Sequence, residues 1–365
     1  MIEEPIRVLH IVTHMERGGL ETMIMNYYRN IDRSKVQFDF LTHRDTNASY
    51  NDEILSLGGK IYSLPPLNPF SRKYIKALDD FFKNHKEYNI VHSHLNAMST
   101  IPLKYAKKNG VKFTIAHSHT SNQEKNLKYF IKYFSKKFIT KYADELFACG
   151  NKAGKWLFGT KDFIILNNAI DVDKYTYDSK KAKEIRSKLG LDDEFVIGHV
   201  GRFCTPKNHE FIVDIFNEVQ KIEPNSRLVL VGEGELKDKI ANKVISLGLD
   251  KKVEFLGIRS DVNDLMQAMD VFLFPSLYEG LGIVLIEAQA SGLKCIISNN
   301  IPLDGVLTDD VEVISLKNKP SIWAEEILKY KIYTRNNNKN IIKTANYDIK
   351  SNAKELEQFY IENMR

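Results

Sequence analysis

Short apolar runs alternate with longer amphipathic ones along almost the whole chain, and this alternation constrains the fold more than any other feature. Strand-like runs fall at residues 7–13, 37–42, 90–93, 113–117 and 145–149, and again at 195–200, 227–231, 253–256, 271–274 and 294–298. Helical periodicity occupies the gaps, as at 21–30, 75–84, 98–108, 210–221, 236–247 and 284–291. Apolar, β-branched strands separated by helices predict parallel sheets covered on both faces. The series is interrupted once, at the polar, turn-prone segment NNAIDVDKYTY (167–177), which leads into a charged helix over 180–188. The expected organisation is therefore two doubly wound α/β domains facing a cleft: residues 1–168, then 169–345. A C-terminal helix over 346–365 either ends the second domain or crosses back to brace the first. With 365 residues, each domain is large enough to bury its own core.

Composition removes several classes. At 43% hydrophobic and 27% charged residues the chain has the make-up of a globular protein, not of a disordered, collagenous or coiled-coil one. No run approaches the roughly 20 apolar residues of a membrane span. The opening MIEEPIRVLHIVTH reads as a strand, not a signal peptide. Three separated cysteines (Cys149, Cys204, Cys295) imply neither a disulfide framework nor a zinc knuckle, and a reducing cytoplasm is expected. The net charge of +5 is uneven: residues 1–170 carry +9 and the remainder −4. Between Lys104 and Lys141 stand ten lysines and a single acid, Glu124, which suggests a polyanionic partner.

Ligands of doubly wound sheets bind beyond the carboxyl ends of the strands, so motifs that follow strands carry the functional reading. Gly18-Gly19-Leu20-Glu21 opens the first helix, where glycine admits a close backbone and free N–H groups favour an anion; a simple tight turn would look the same. His92-Ser93-His94 and His117-Ser118-His119 end two strands. Such pairs can ligate a metal, but no acid or cysteine recurs nearby at a convincing spacing. The expectation is that one member of each pair packs while the other lines the cleft. Gly201-Arg202-Phe203-Cys204-Thr205-Pro206-Lys207 sets two cations five residues apart, a compact site for a diphosphate leaving group; a solvated loop is the bland alternative. Gly232-Glu233-Gly234 suggests a dinucleotide turn, but Lys237 occupies the place of the third glycine.

The strongest motif is FPSLYEGLGIVLIEA (274–288), a buried strand that turns through two glycines into a helix with an acid on either side. The N–H groups of Gly282 and Ile283 would face a phosphate or a sugar hydroxyl. Glu279 would accept hydroxyls from the loop, and Glu287 would clamp two vicinal hydroxyls of a ribose. Asp171-Val172-Asp173 imitates a metal-holding D-x-D motif but falls in the linker, where turn and capping chemistry is expected.

Together these residues resemble glycosyltransferase family 4, retaining nucleotide-sugar transferases of the two-Rossmann GT-B fold. The resemblance covers nearly the whole chain through GGLE (18–21), AHSHT (116–120), NAID (168–171), GRFCTPKNHEF (201–211) and EGLGIVLIE (279–287). RSKVQFDFLTH, ACGNKAGKWLFG and DVNDLMQAMDVFLFPSLYEG are most similar to the bacterial capsular and exopolysaccharide branch. The resemblance implies transfer of a hexosyl or N-acetylhexosaminyl group from a UDP-sugar donor to a glycan acceptor, lipid-linked in the polymer-building relatives. It implies that Gly18 and Gly19 meet the donor phosphate and that Arg202 and Lys207 neutralise the leaving diphosphate. Glu279, with Gly280, Leu281, Gly282 and Ile283, would contact the donor sugar and phosphate, and Glu287 the ribose. The loop through Ile258 would read the base, His119 would stand beside the reacting sugar, and His94 near the acceptor. No cofactor and no metal are implied. Ala169 and Asn208 stand where the family commonly has glycine.

Residues 126–142, NLKYFIKYFSKKFITKY, set Leu127, Phe130, Ile131, Phe134, Phe138 and Tyr142 at helical spacing between lysines. This is the expected site of peripheral contact with anionic lipid at the inner face of the cell membrane, although a sheet-covering helix with a solvated face has the same pattern. No nucleic-acid motif accompanies the lysines. Three alternatives fit the same scaffold less well: a UDP-sugar epimerase, a nucleotide-sugar-binding protein, and a nicotinamide oxidoreductase, the last disfavoured by the missing glycine.

Overall fold

The computed structural model describes residues 4–120 and 129–364, without the side chains of 129–134. Its strands are β1 (Ile6–Ile11), β2 (Val36–Thr42), β3 (Ile61–Ser63), β4 (Ile90–Ser93), β5 (Phe113–Ser118), β6 (Glu145–Ala148), β7 (Ile164–Ile165), β8 (Phe195–Val200), β9 (Ser226–Val231), β10 (Val253–Phe255), β11 (Val271–Phe274), β12 (Lys294–Ser298) and β13 (Val311–Ile314). They form two sheets, ordered β3-β2-β1-β4-β5-β6-β7 and β10-β9-β8-β11-β12-β13, and every described pairing is parallel. The chain divides into a unit of residues 1–169 with 348–365 and a unit of residues 170–347.

In the N-terminal unit strand alternation sends side chains to two separate cores. Val8, Phe38, Phe40, Ile90 and Ile115 pack on one face beneath the helices Gly19–Asn30 and Ile349–Glu362. Leu9, Ile11, Leu41, Val91 and Ala116 pack on the other with Arg72–Asn84 and Thr100–Lys108. The C-terminal helix offers Ile349, Ala353, Leu356 and Tyr360 as one stripe at the 3.6-residue period, all buried in the first core. In the C-terminal unit Phe195, Ile197, Leu228, Leu230 and Leu273 face Trp323 and Phe216, while Val196, Val229, Phe272, Phe274 and Ile297 face Leu285 and Met266.

The sequence reading missed three strands, β3, β7 and β13. Each ends a sheet, is two to four residues long and is at most partly buried, so none carries the apolar run that marks a central strand. In each sheet the strand order reverses at one place, between β1 and β4 and between β8 and β11. Those two switch points are where a ligand crevice opens in a doubly wound sheet. The linker needs no glycine at 169, because Ala169 is fully buried and is absent from the residues with positive φ. Asn208 does take a left-handed conformation, φ 59° and ψ 41°, which asparagine tolerates better than most residues. Asp171 holds the N-cap position of the short helix Val172–Tyr175 and its carboxylate lies 3.9 Å from the Lys174 ammonium in that helix, while Asp173 pairs with Lys339 at 2.7 Å.

Candidate functional site

At the C-terminal switch point two loops are tied together by their backbones. The segment after β8 runs through Gly201, Arg202 and a short 3-10 turn (Thr205–Lys207) into the helix His209–Ile222. The segment after β11 runs through Pro275–Gly282 into the helix Ile283–Ala290. The Leu277 N–H donates to the Pro206 carbonyl at 2.8 Å, and the Asn208 amide donates to the Pro275 carbonyl at 3.0 Å. Lys207 and Glu279 consequently meet, Nζ to Oε1 2.8 Å, with both side chains largely buried. The lysine ammonium also lies 4.8 Å from the centre of the Phe274 ring. Gly282, at φ 70°, caps the helix start without a side chain, and Gly280 is open to solvent. Leu281 and Ile283 flank that cap, half-buried.

Glu287 lies one turn along the same helix. Burial raises its carboxyl to about 7, opposed by a hydrogen bond from the Tyr175 hydroxyl, and the Tyr175 phenol is itself pushed up by burial beside that carboxyl. The sequence gave no sign of Tyr175, which stands in a linker read only as a turn. Arg202 points outward, 72% exposed, and its guanidinium reaches Glu235 at 3.1 Å. The two expected cations are thus each matched to a carboxylate, and Glu235 is an addition to the expected set. Ile258 is 67% exposed in the loop after β10, where Gly257 takes φ 65°. Gly232 and Gly234 are not a dinucleotide turn. A Cβ at Gly232 would come within 2.1 Å of the Gly201 carbonyl oxygen, and one at Gly234 within 2.4 Å of the Phe203 oxygen, so both glycines admit the neighbouring loop.

The N-terminal switch point has different chemistry. Gly18 is the N-cap of the helix Gly19–Asn30, and Gly19 has nothing within 4 Å of its would-be Cβ. Residues two apart on a strand share a face, so both members of each His-x-His segment project from the same side of the sheet, where β1 adds His10 opposite His92. Four N···N and N···O hydrogen bonds link this set. His10 Nδ1 meets His94 Nε2 at 2.9 Å, and His94 Nδ1 meets His119 Nε2 at 2.9 Å. The Tyr360 hydroxyl meets His92 Nδ1 at 2.7 Å, and His92 Nε2 meets His117 Nδ1 at 3.1 Å.

His92, His94 and His117 are buried and only His119 reaches the rim. Burial distinguishes His117, packed, from His119, half-buried, but says nothing of a cleft. The expected split of one packed and one outward histidine fails for His92 and His94, because strand periodicity puts both beneath the helices. His94, expected near an acceptor, has both ring nitrogens engaged by other imidazoles. Burial drives all five rings below the usual histidine range, His10 and His119 to about 3. His10 and Tyr360 escaped the sequence reading; the parity of residues 8, 10 and 12 on the first strand was the available signal for His10.

Of the basic amphipathic stretch, Lys125, Leu127 and Lys128 and the side chains of Phe130, Ile131, Lys132 and Phe134 lie outside the described residues. In the helix Tyr129–Tyr142, Phe138 is 52% exposed and Ile139 is buried. Lys104, Lys108, Lys112, Lys137 and Lys141 are exposed. No helix among the described residues is long and apolar enough to cross a membrane.

Comparison with known proteins agrees with this geometry. Residues 17–174 match the Glycosyltransferase Family 4 model, and residues 181–347 match Glycosyl transferases group 1. EpsF of Bacillus subtilis (strain 168), a protein named as a glycosyltransferase, is 36% identical over 342 residues, 88% of this chain and 87% of that one. The capsular polysaccharide biosynthesis glycosyltransferase CapH of Staphylococcus aureus is 27% identical over 98% of this chain and 99% of its own length. An Escherichia coli UDP-Gal:alpha-D-GlcNAc-diphosphoundecaprenol alpha-1,3-galactosyltransferase is 29% identical over 62% of each chain. Among solved structures, Anabaena Alr3699/HepE in complex with UDP superposes with a TM-score of 0.80 at 15% identity, over 98% of this chain and 100% of that one.

Proposed function

The chain belongs to glycosyltransferase family 4 and is a glycosyltransferase of the GT-B fold, and from that premise we propose that it transfers a sugar, with retention, from a UDP-sugar to a growing cell-surface polysaccharide. The observation that carries the reading is the constellation at the β8/β11 switch point: Lys207, Glu279, the open turn Gly280–Gly282 and Glu287 on one helix start. Arg202 and Lys207 would take the diphosphate charge, exchanging Glu235 and Glu279 for phosphate oxygens. The N–H groups of Gly282 and Ile283, and that of Gly19 in the other unit, are donors of the kind that stabilise an anion at a helix start. Glu287 would accept the ribose hydroxyls, Ile258 would cover the base, and Glu279, once released from Lys207, would hold the donor sugar. His119 would be the rim histidine beside the reacting sugar.

In the retaining step the acceptor oxygen bonds to the anomeric carbon on the face that the diphosphate leaves. The carbon–phosphate-oxygen bond breaks, and the acceptor proton passes to a phosphate oxygen. The acceptor is taken to be a lipid-linked glycan, from the diphosphoundecaprenol named for the E. coli relative. Exposed Lys104, Lys108, Lys112, Lys137 and Lys141 would meet an anionic lipid surface from the cytoplasmic side.

A screen of UDP- and GDP-sugars by thermal shift, followed by product analysis, tests the reading. A UDP compound at a hundredfold excess over its dissociation constant should raise stability by about 2.7 kcal/mol. Lys207→Ala and Arg202→Ala should weaken UDP binding, and Lys207→Ala should slow transfer about 10²–10³-fold. An epimerised donor formed without acceptor would replace transfer by isomerisation, and UDP affinity left intact in the Lys207, Arg202 and Glu287 variants would overturn the site.

A further inference from the structure

The transfer reading uses the rim of His119 and leaves four buried imidazoles without a task. We propose that His94, His117 and His119 form a binding site for one borderline divalent transition-metal ion of the Zn2+ class, separate from the diphosphate site.

One ring nitrogen from each of the three lies within 4.8 Å of the other two, and a second triad, His10, His92 and His94, has the same closeness. In each triad one buried ring nitrogen has no hydrogen-bond partner among the described residues, His10 Nε2 in one and His117 Nε2 in the other; the triads differ in access, since only His119 reaches the rim. His117 is fully buried, and its Nε2, without a partner among the described residues, offers a lone pair in the tautomer that carries the ring proton on Nδ1. Its other nitrogen is engaged by His92 Nε2, and His92 is fixed in turn by the Tyr360 hydroxyl. The other nitrogen of His94 is engaged by His10. A metal-binding histidine commonly has its far nitrogen hydrogen-bonded in this way, which sets the ring tautomer and its direction. His119 completes the triad at the rim, half-buried, and leaves an entry path and a coordination position open to water. Three imidazoles plus a water are the donor set of one type of open zinc site.

The donor chemistry is selective. With no carboxylate or thiolate in the triad, the site favours ions that imidazole suits, Zn2+, Co2+, Ni2+ and Cu2+, over Mg2+, Ca2+ and Mn2+. Binding converts the 2.9 Å His94–His119 hydrogen bond into two coordinate bonds. Around a tetrahedral ion with bonds of about 2.0–2.1 Å those nitrogens separate by a few tenths of an ångström more. In the tautomer with the shared proton on His119 Nε2, that proton moves to Nδ1 of the same ring, so both rings stay neutral and donate lone pairs. The Asn96 side-chain oxygen, which accepts the His119 backbone N–H at 2.7 Å, holds the rim residue in place during this exchange.

Chelator-treated full-length protein titrated with Co2+ tests the site, with Zn2+ then displacing it. One equivalent should bind with the intense visible bands of four-coordinate cobalt, and Mg2+ and Ca2+ should not compete. Zn2+ should shift the ring nitrogen resonances of three histidines in 15N-histidine-labelled protein. His117→Phe, which keeps a ring against Phe147, and His119→Asn at the rim should each weaken binding at least ~100-fold. Tyr360→Phe, which removes only the support behind His92, should weaken it ~10-fold, and His85→Gln should change nothing. Stabilisation by UDP should persist in His117→Phe and Tyr360→Phe, so loss of the metal and loss of the donor site are told apart. Absence of the four-coordinate spectrum, or cobalt binding that survives both His117→Phe and His119→Asn, overturns the proposal and leaves the five rings as a hydrogen-bonded ladder alone.

Discussion

At the N-terminal switch point, strands β1, β4 and β5 end in histidines that bond to one another and to a tyrosine. At the C-terminal one, β8 and β11 end in a lysine, a glutamate and backbone groups that bond across the switch. The topology is the same and the chemistry opposite: one end is neutral and buried except at His119, the other charged and partly open. A parallel sheet places loops at its carboxyl edge whatever their sequence; the residue types then decide whether that edge responds to protons or to anions.

The comparison breaks most visibly in acid. Six buried histidines of the N-terminal unit (10, 43, 92, 94, 117 and 119) have folded-state values depressed by burial, against two in the C-terminal unit (199 and 209). A depressed histidine contributes stability that is intact above its unfolded value near 6.5 and is lost as pH falls toward the folded value. At about 1.4 kcal/mol per group and pH unit, the upper bounds are roughly 8 kcal/mol per unit of pH for the first unit against roughly 3 for the second. In chelator-treated protein the N-terminal unit should therefore unfold first, well above pH 4. Each unit holds one tryptophan, Trp156 and Trp323. Trp156→Phe protein reports the second unit, and its difference from the parent reports the first. Simultaneous acid transitions would break the comparison.

Glycines sharpen it next. Gly232 sits at φ 140° with no room for a Cβ, so Gly232→Ala should cost the C-terminal unit about 3 kcal/mol or more, with Tm falling roughly 2–4 °C per kcal/mol. Gly19 has open space and an ordinary φ, so Gly19→Ala should raise stability slightly, by about 0.4–1 kcal/mol, while reducing transfer. Two glycine loops of similar appearance thus separate into one that packs and one that is free for a ligand.

How far the sequence reveals this follows the same division. Central strands were legible because both faces are buried, which forces continuous apolar runs such as VFLF at 271–274. The edge strands β3, β7 and β13 were not, because one neighbour and partial exposure leave no such run. Arg202, Lys207, Glu279 and Glu287 could be singled out as candidates because they stand in or beside glycine-containing segments that follow strands. Their partners Glu235 and Tyr175 could not, since an ion pair between loops or a hydrogen bond from a linker leaves no spacing to read. The histidine set was half legible. His-x-His announced each pair, but only the register of β1 against β4 brings His10 opposite His92, and only the packing of the last helix brings Tyr360.

Glu287 runs against the histidines in sign. Burial raises it from 4.5 to about 7, so the folded state holds the proton more tightly than the unfolded chain. Its contribution is fully present below about pH 4.5 and is lost as pH rises through about 7. Glu287 thereby offsets part of what His199 and His209 cost the C-terminal unit as pH falls over the same range. Glu287→Gln, measured without nucleotide, should raise Trp323-reported stability at pH 8 by about 2–3 kcal/mol and steepen its rise with pH between 4.5 and 7, because the term opposing His199 and His209 is gone. An unchanged slope would place the titration elsewhere.

The smallest effect tests whether the two units are separable energetically as well as in space. Tyr360 lies in the last helix, more than 180 residues beyond the strands it covers, yet its hydroxyl serves His92 at 2.7 Å in the N-terminal core. Tyr360→Phe keeps the ring and its packing against Phe38 and removes one buried hydrogen bond, a cost of about 1 kcal/mol. If the units unfold independently, that loss appears in the Trp156 signal and leaves the Trp323 transition where it was. An equal shift in both would mean that the last helix couples them: the chain then unfolds as one cooperative body, and the acid and glycine effects above must merge into a single transition.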